Sequence, residues 1–442
     1  MLQWRSSDVR SSGPRQKNRE FGVSMRLMGL AIALTWTIAA AAQGGGKVCR
    51  VQDYGAKGDG VTLDTTAIQK AIDDCAAAHG PSPQATVLLG GAKAFVSGPL
   101  VLRSHLVLQI DTGTTLEGST NHDDYPQIQQ FGQPGRQSLL SANGAADLTI
   151  HGGGTIDGRG DSWWPHREDG YTRPRLIVFD HCKHVLMENV TVENSPMWQI
   201  VPYYSSDLTF RSMKILAPAP EGHNTDGIDP FSSHDVLIDH VTIDTGDDDV
   251  AIKSGQPGSA GPDEPSTNIT IRDCTFLKGH GLSVGSEVAG GVQHVHVERV
   301  AFKGTTAGIR LKSGRDRGGD LSDFIYRDIT MQDVATPILI TDYYGGDKAG
   351  AATAAMAPVT RLTPHFDGIV IENLKATGAR QAFVIEGLPE APILGVQLKN
   401  VVIDAAKGGR ISYATVVSQG LIVKVPGGEP IMTGPGAKGS LK

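Results

Sequence analysis

Cysteine is scarce in this chain. Cys49, Cys75, Cys182 and Cys274 are all there is in 442 residues. No two of them form a CxxC pair, which excludes a dense disulfide framework and a cysteine-built metal site. Positive charge is short as well. The formal net charge is -7, whereas a nucleic-acid binder needs a basic stripe to collect phosphates. A polyanionic ligand must therefore be met by a local group of cations. Long helical periodicity is missing almost everywhere beyond residue 47, and no composition shift or linker divides the chain there. Residues 47–442 read as one domain, long enough to bury a large core.

Only one extended apolar run occurs, residues 27–42, preceded by Arg26 and ending in Ala40-Ala41-Ala42 before Gln43. It is short for a membrane span of about 20 apolar residues and is interrupted by Thr35 and Thr37. Residues 1–42 therefore read as an export signal, with Met25 an alternative start because the polar stretch before it is long for such a signal. The expectation is a secreted or periplasmic protein with no stable membrane association after signal removal. In an oxidising compartment Cys49 and Cys75 are the candidate disulfide pair, and reduced, buried cysteines are the alternative.

Glycine is abundant, at 55 residues, while aromatics make up 6%. Together with many Val, Ile and Thr, this suits short strands joined by tight turns. Residues 64–78 carry apolar side chains at helical spacing, with Asp64 as a plausible N-cap. Beyond it one weak unit recurs: a small polar residue, alternating apolar residues, then Asn, Asp or Arg before another short β run. Asp147-Leu148-Thr149-Ile150, His184 to Val192, Asp235 to Val241, Asn268 to Asp273, His294 to Val300, Asp323 to Ile329 and Gly368 to Leu374 are examples. The spacing, roughly twenty to forty residues, is that of a solenoid or propeller. A propeller needs four strands per blade, so an all-β, single-domain parallel β-helix fits better, with the 64–78 helix capping its N-terminal end. Residues 158–175 and 345–364 lack the unit and read as loops.

Four polar clusters stand about one coil apart: Asn224-Thr225-Asp226, Gly246-Asp247-Asp248, Gly279-His280-Gly281 and Arg310-Leu311-Lys312. Strand alternation puts Asn224 with Asp226, and Arg310 with Lys312, on one face, turning Thr225 and Leu311 away. Asp247 and Asp248 share a groove only if the chain bends there, which Gly246 permits. Crowded carboxylates do not all ionise normally, so one stays protonated as a general acid while another activates water. That is the chemistry of glycoside hydrolysis. Taken singly, each cluster has a plainer reading, as a turn residue bonded to backbone or as a solvated face.

In this order and spacing the four clusters resemble those of the polygalacturonases of glycoside hydrolase family 28. So do the Asp53-Tyr54-Gly55-Ala56-Lys57-Gly58-Asp59-Gly60 segment, Asn194-Ser195-Pro196 and Asp342-Tyr343. The resemblance implies a right-handed parallel β-helix, inversion of configuration, and no metal or other cofactor. It makes Asp247 the general acid, Asp226 and Asp248 the carboxylates that hold the water, and His280 the neighbour that maintains the acid's protonation. Asn224, Arg310, Lys312 and Tyr343 become substrate-binding residues, with Tyr344 the alternative to Tyr343. Asp249 departs from the pattern, standing where many members have cysteine, and is expected to point into a turn. Trp163 and Trp164 are candidates for stacking on sugars or for packing. The expected partner is a pectic polysaccharide or oligogalacturonide, cleaved by a monomer, with end-wise attack favoured over internal cleavage. Hydrolysis of another pectic backbone such as rhamnogalacturonan, a calcium-dependent lyase, and a non-catalytic carbohydrate-binding solenoid are the alternatives.

Overall fold

The computed structural model describes residues 46–77, 84–217, 221–345, 350–351 and 353–441. The export signal expected at 1–42 lies outside them. The regular structure of the described chain is almost all strand, with one α-helix, and the ladders are parallel apart from one hairpin. Three ladders run along the molecule. In the first, a column of paired residues passes from Cys49 through Val87, Leu108, Ile150, Met187, Phe210, Ile238, Ile271, Val297, Tyr326 and Ile371 to Leu398. In the second, Phe95, Leu116, Ile156, Val192, Ile215, Ile243, Phe276, Phe302 and Met331 are stacked in the same way. These columns are buried. A coil by itself exposes its apolar residues, and stacking at roughly 4.8 Å converts them into a continuous core.

The two polar residues that punctuate the repeat have a backbone cause. The leading residue, as in Asp147, His184, Asp235, Asn268 and Asp323, has φ between 55° and 59°. The following Asn, Asp or Arg, as in Asn189, Asp273, Arg299, Asp328 and Asn373, has φ between 51° and 57°. Both are left-handed corners, where Asn and Asp are the L-residues that cost least. Corners of successive coils also bond to one another: the Asn373 amide donates to Asp328 at 2.9 Å and that of Asn400 to Asn373 at 3.2 Å.

Helix α1, Thr65–Ala77, buries Ile68, Ala71, Ile72 and Cys75 over the first coil. Cys75 is bonded to Cys49, with Cα atoms 6.0 Å apart, which ties the cap to the first strand. Cys182 and Cys274 are free and buried. Asp64 starts the helix through its carbonyl, which accepts from Ile68 at 3.0 Å. Its carboxylate is used elsewhere: it accepts from the N–H groups of Lys57 and Gly58, at 2.7 and 2.9 Å, and so fixes the Gly-rich turn before the helix. Among the described residues no helix is long and apolar enough to cross a membrane.

The third ladder carries the polar clusters. It comprises Leu100–Val101, Leu140–Asn143, Ile177–Asp180 and Ile200–Tyr203, then Val250–Ile252, Leu282–Val284, Ala307–Lys312, Thr336–Thr341, Phe383–Glu386 and two later strands. Bridges at Ile228 and Phe231 join its two parts. On its outer face the hairpin Gln127–Gln130 with Gln133–Arg136 brings Phe131 against Val178, Val201 and Tyr203. The hairpin thus covers the outer face of the early coils as far as Phe231.

Ile271 is enclosed by Ile238 and Val297 in the first column. Ile271→Ala is expected to cost about 2–5 kcal/mol in urea unfolding. Val417, 49% exposed on the outside of the same ladder, tolerates Thr to within about 0.5 kcal/mol. Equal losses at the two positions would contradict the stacked core.

Candidate active site

Inward residues of the third ladder set the register of the site. Ile228, Val250, Leu282 and Ile309 stack on one another. Asp226, Asp248 and His280 each stand two residues before one of them, so they occupy equivalent places in three successive coils. Arg310 follows Ile309 and pairs with Ser283 in the coil before it. Leu311 is buried inside while Arg310 and Lys312 reach the outer face. Thr225 likewise turns inward and accepts from the Gly246 N–H at 3.0 Å, which secures the bend before the aspartates. The glycines around His280 are required by their surroundings. At Gly279, with φ of 72°, a Cβ would fall 2.6 Å from the Asp247 carbonyl oxygen, and at Gly281, with φ of 82°, 2.1 Å from that of Ala307.

Asp248 is the centre of the cluster, with a side chain only 1% exposed. Lys312 Nζ donates to its Oδ2 at 2.6 Å, and Arg310 and the Ser283 hydroxyl donate to its Oδ1 at 2.8 and 2.7 Å. Burial alone would raise its pKa. The charges of Lys312, Arg310 and Lys253 outweigh that and hold it far below the usual carboxylate range. Asp247, with a side chain 21% exposed, is the carboxyl that faces outward. Its Oδ1 accepts from the Asp248 N–H and lies against His280 Nδ1, both at 2.9 Å, while Oδ2 meets the Asn224 amide at 3.4 Å. Burial pushes Asp247 up, but the His280 hydrogen bond, despite repulsion from Asp248, brings it below the ordinary value.

Asp226 behaves in the opposite way. Burial, with Asp229 and Asp247 close by, raises it well above the ordinary range, opposed by Lys253 at 3.9 Å. Asp249 is also buried and raised by that burial, and its Oδ2 accepts from the Gly281 N–H at 3.0 Å. It thus points beneath the cluster into the glycine turn.

Several residues here belong to no sequence motif. Lys253 is buried 3.0 Å from Glu287, whose carboxyl Lys253 draws down to about 2 against the effect of burial. Asp229 is buried with neither carboxyl oxygen hydrogen-bonded among the described residues. Arg173, from the 158–175 segment, donates to the Pro196 and His223 carbonyls and to Asn224 Oδ1, at 2.8, 2.9 and 2.8 Å. Their partners lie 23 to 51 residues away along the chain, so only the register could have revealed them.

Tyr343 is turned to backbone: its hydroxyl donates to the Gly387 carbonyl at 2.9 Å. The ring of Tyr344 instead lies over the cations, 5.1 Å from Lys312 Nζ and 5.9 Å from the Arg310 guanidinium. Trp163 is fully buried and stacked on His122, and Trp164 is 9% exposed with its indole N–H on the Ser195 carbonyl. Both therefore pack rather than offer a sugar platform. Ligand atoms of Asp247, Asp248 and His280 lie within 4.8 Å of one another, as do those of Asp239, His240 and Asp273. In the first set Asp248 is already paired with both Arg310 and Lys312, and in the second Asp239 and Asp273 are paired with Arg272 and Arg299, which weakens each as a donor set for a divalent cation.

Burial raises the pKa of Asp229 to about 8. A carboxyl raised on folding binds its proton more tightly in the folded state. Its contribution therefore favours folding at low pH and is lost as pH climbs from the unfolded value near 4 towards about 8. Asp229→Asn is neutral throughout, so its stability relative to wild type should grow between about pH 5 and pH 8, by roughly 1–3 kcal/mol. Urea unfolding at the two pH values checks this, and a gap that shrinks with pH would refute the assignment.

The model of the glycosyl hydrolases family 28 matches residues 82–420. A probable polygalacturonase of Vitis vinifera is 32% identical over 84% of this chain and 77% of its own length. An endo-polygalacturonase of Pectobacterium carotovorum is 33% identical over 70% of this chain and 79% of its own. Among solved structures, an exopolygalacturonase from Thermotoga maritima is 26% identical with a TM-score of 0.76, covering 86% of this chain and 92% of that one. A polygalacturonase from Erwinia carotovora, also 26% identical, has a TM-score of 0.60 over 90% and 96%. The match spans all four polar clusters and the coils that align them, and the chain belongs to glycosyl hydrolases family 28.

Proposed function

We propose that the protein hydrolyses the galacturonosyl linkages of polygalacturonate, with inversion, using Asp247 as general acid and Asp226 with Asp248 to hold and activate the water. The observation that carries this reading is the contact of one buried carboxylate, Asp248, with both Arg310 and Lys312. On an acidic chain these cations are a local counter-charge at the very point where the carboxylates converge, which suits an anionic sugar polymer. A rhamnogalacturonan or a neutral glycan would make less use of them.

The same contact explains how an acid held low in the free protein comes to carry a proton. Asp247 Oδ1 is occupied by the Asp248 N–H and by His280. The transferable proton therefore belongs on Oδ2, beside the Asn224 amide. A substrate carboxylate drawn to Arg310 and Lys312 adds negative charge and divides their attention with Asp248. Both effects raise the proton affinity of Asp247, so binding of the anionic substrate loads the acid. His280, against Oδ1, holds the carboxyl in place so that the proton is left to Oδ2. Water deprotonated between Asp226 and Asp248 attacks the anomeric carbon as Asp247 protonates the leaving oxygen.

End-wise attack is the finer reading, and relatives divide on it, one being named exo and another endo. It is supported by the two segments outside the repeat. Arg173 brings the 158–175 segment to Asn224, and Tyr344 leads into the 345–364 segment beside the basic pair. Segments that closed both ends of the carboxylate row would shorten the groove and favour end-wise attack. Chromatography over time shows monomer or dimer from the start if this is right, and a ladder of oligomers if cleavage is internal.

Asp247→Asn keeps the fold and lowers turnover on polygalacturonate by about 10² to 10⁴ fold. A folded variant with most of its activity removes Asp247 from the acid role. Proton NMR of the nascent product is expected to show the inverted anomer, and retention would overturn the water-holding pair. For specificity, kcat/KM falls steeply with methyl esterification, because a neutral ester offers the cations nothing. Lys312→Ala and Arg310→Ala should lose far more on polygalacturonate than on the methylated polymer. Equal losses on both polymers would make the pair structural.

A further inference from the structure

Asp226 is surrounded by groups of its own sign, Asp229, Asp247 and Asp248. The cations that bear on it are mostly committed to other partners. Arg173 is held by the Pro196 and His223 carbonyls and by Asn224, and Arg175 by Gln130 and the rings of Phe131 and Trp198. Arg310 and Lys312 are both on Asp248. What remains is Lys253, whose ammonium lies 3.9 Å from Asp226 Oδ2, 3.0 Å from Glu287 Oε2 and 4.8 Å from the centre of the Trp198 ring. Glu287 in turn faces Arg317 at 3.9 Å. The Lys253 side chain is 5% exposed and its ammonium is already engaged by Glu287 and the Trp198 ring.

Its place in the fold is equally telling. Phe231 pairs with Lys253, and because Ile252, Val284 and Leu311 stack, the next positions in that outer column are Gly285 and Lys312. One column of the repeat therefore supplies a lysine to Asp248 and, two coils earlier, a lysine to Asp226. Building on the catalytic reading above, we propose that Lys253 is a positioning residue for the hydrolysis. Its buried ammonium, anchored by Glu287 and 3.9 Å from Asp226, eases the ionisation of Asp226 next to Asp248 as the water is activated, so that both carboxylates serve it. Without Lys253, nothing opposes burial and the three neighbouring carboxyls, and Asp226 becomes a poorer base still.

Charge at Asp226 can be moved in either direction, and the test uses both. Lys253→Met is expected to lower kcat by at least about tenfold, less than the outright loss of an acid–base group, with KM little changed. It should also move the acidic limb of the kcat/KM–pH profile upward by about one pH unit or more. Glu287→Gln frees the ammonium for the neighbouring aspartates, Asp226 with Asp229 and Asp248, and should move the limb down. A purely structural pair would lower activity in both variants without opposite displacements of the limb. Should Lys253→Met not fold by circular dichroism, the double variant Lys253→Met/Glu287→Gln, which strands no buried charge, is read the same way. An upward limb supports the role and an unmoved limb overturns it. A loss confined to KM also overturns it, by making Lys253 a substrate contact. Asp226→Asn and Asp247→Asn are measured alongside. If they remain active the catalytic reading itself falls, whereas if they are inactive and the limb stays fixed only the role of Lys253 falls.

Discussion

In-register stacking of coils is the constraint on which everything else in this molecule depends. A strand of three residues such as Thr242–Asp244 or Val250–Ile252 has no independent stability. It persists because each inward side chain meets its equivalent one coil away, from Cys49 to Leu398 in a single column. Register is therefore specified at every level, since a slip of one residue would turn a whole column from core to solvent. That rigidity is inherited by the outer face. Residues placed there at equivalent positions form rows whose spacing the backbone sets, and a reaction that needs several groups held within a few ångströms gains this alignment from the fold.

The row so formed carries an imbalance that shapes its chemistry. Asp226, Asp229, Asp247, Asp248, Asp249 and Glu287 converge, against Lys253, Arg310 and Lys312 and the more distant Arg175 and Arg317. Full ionisation would leave a buried excess of negative charge, which a low-dielectric site does not sustain. The geometry resolves this by unequal sharing. Asp248 and Glu287 take the cations and are held low, while Asp226, Asp229 and Asp249 are raised by burial. Asp247, the most exposed of the aspartates, is set by His280 instead. One constellation thus contains carboxyls of opposite tendency within a short distance in the free protein.

Much of this was legible in the sequence, and the limits of that reading have a physical form. The repeat was visible because its punctuating residues, such as Asp235, Asn268 and Asn373, answer a local backbone demand for left-handed φ. The clusters were visible because alternation fixes parity within a strand: Leu311 goes in while Arg310 and Lys312 go out. Parity is lost where strands end. Tyr343 and Tyr344 follow the last residue of Thr336–Thr341, so no alternation decides between them, and it is Tyr344 that covers the cations. Lys253 and Glu287 were not visible at all. They are 34 residues apart, and their meeting depends on how many residues each intervening loop takes before the register resumes. Trp163 and Trp164 carry the composition of a sugar platform, but burial, which local sequence does not specify, makes them packing residues.

Arg310 and Lys312 show why the groups in this row are poorly described one at a time. Each is spent on Asp248 in the free protein, yet each is also what an anionic polymer would seek. A cation fully neutralised by its own protein would bind substrate weakly, and one left bare in a buried site would be costly. On the proposed reading, sharing Asp248 with the substrate would resolve both demands. It would also make affinity and acidity the same variable, because the negative charge docking on the pair is the charge that raises the proton affinity of the neighbouring carboxyls. Recognition of a charged sugar and readiness of the acid then cannot be tuned separately at this site. A substitution that loosened Arg310 or Lys312 from Asp248 would change the protonation of the row before it changed any contact with the polymer.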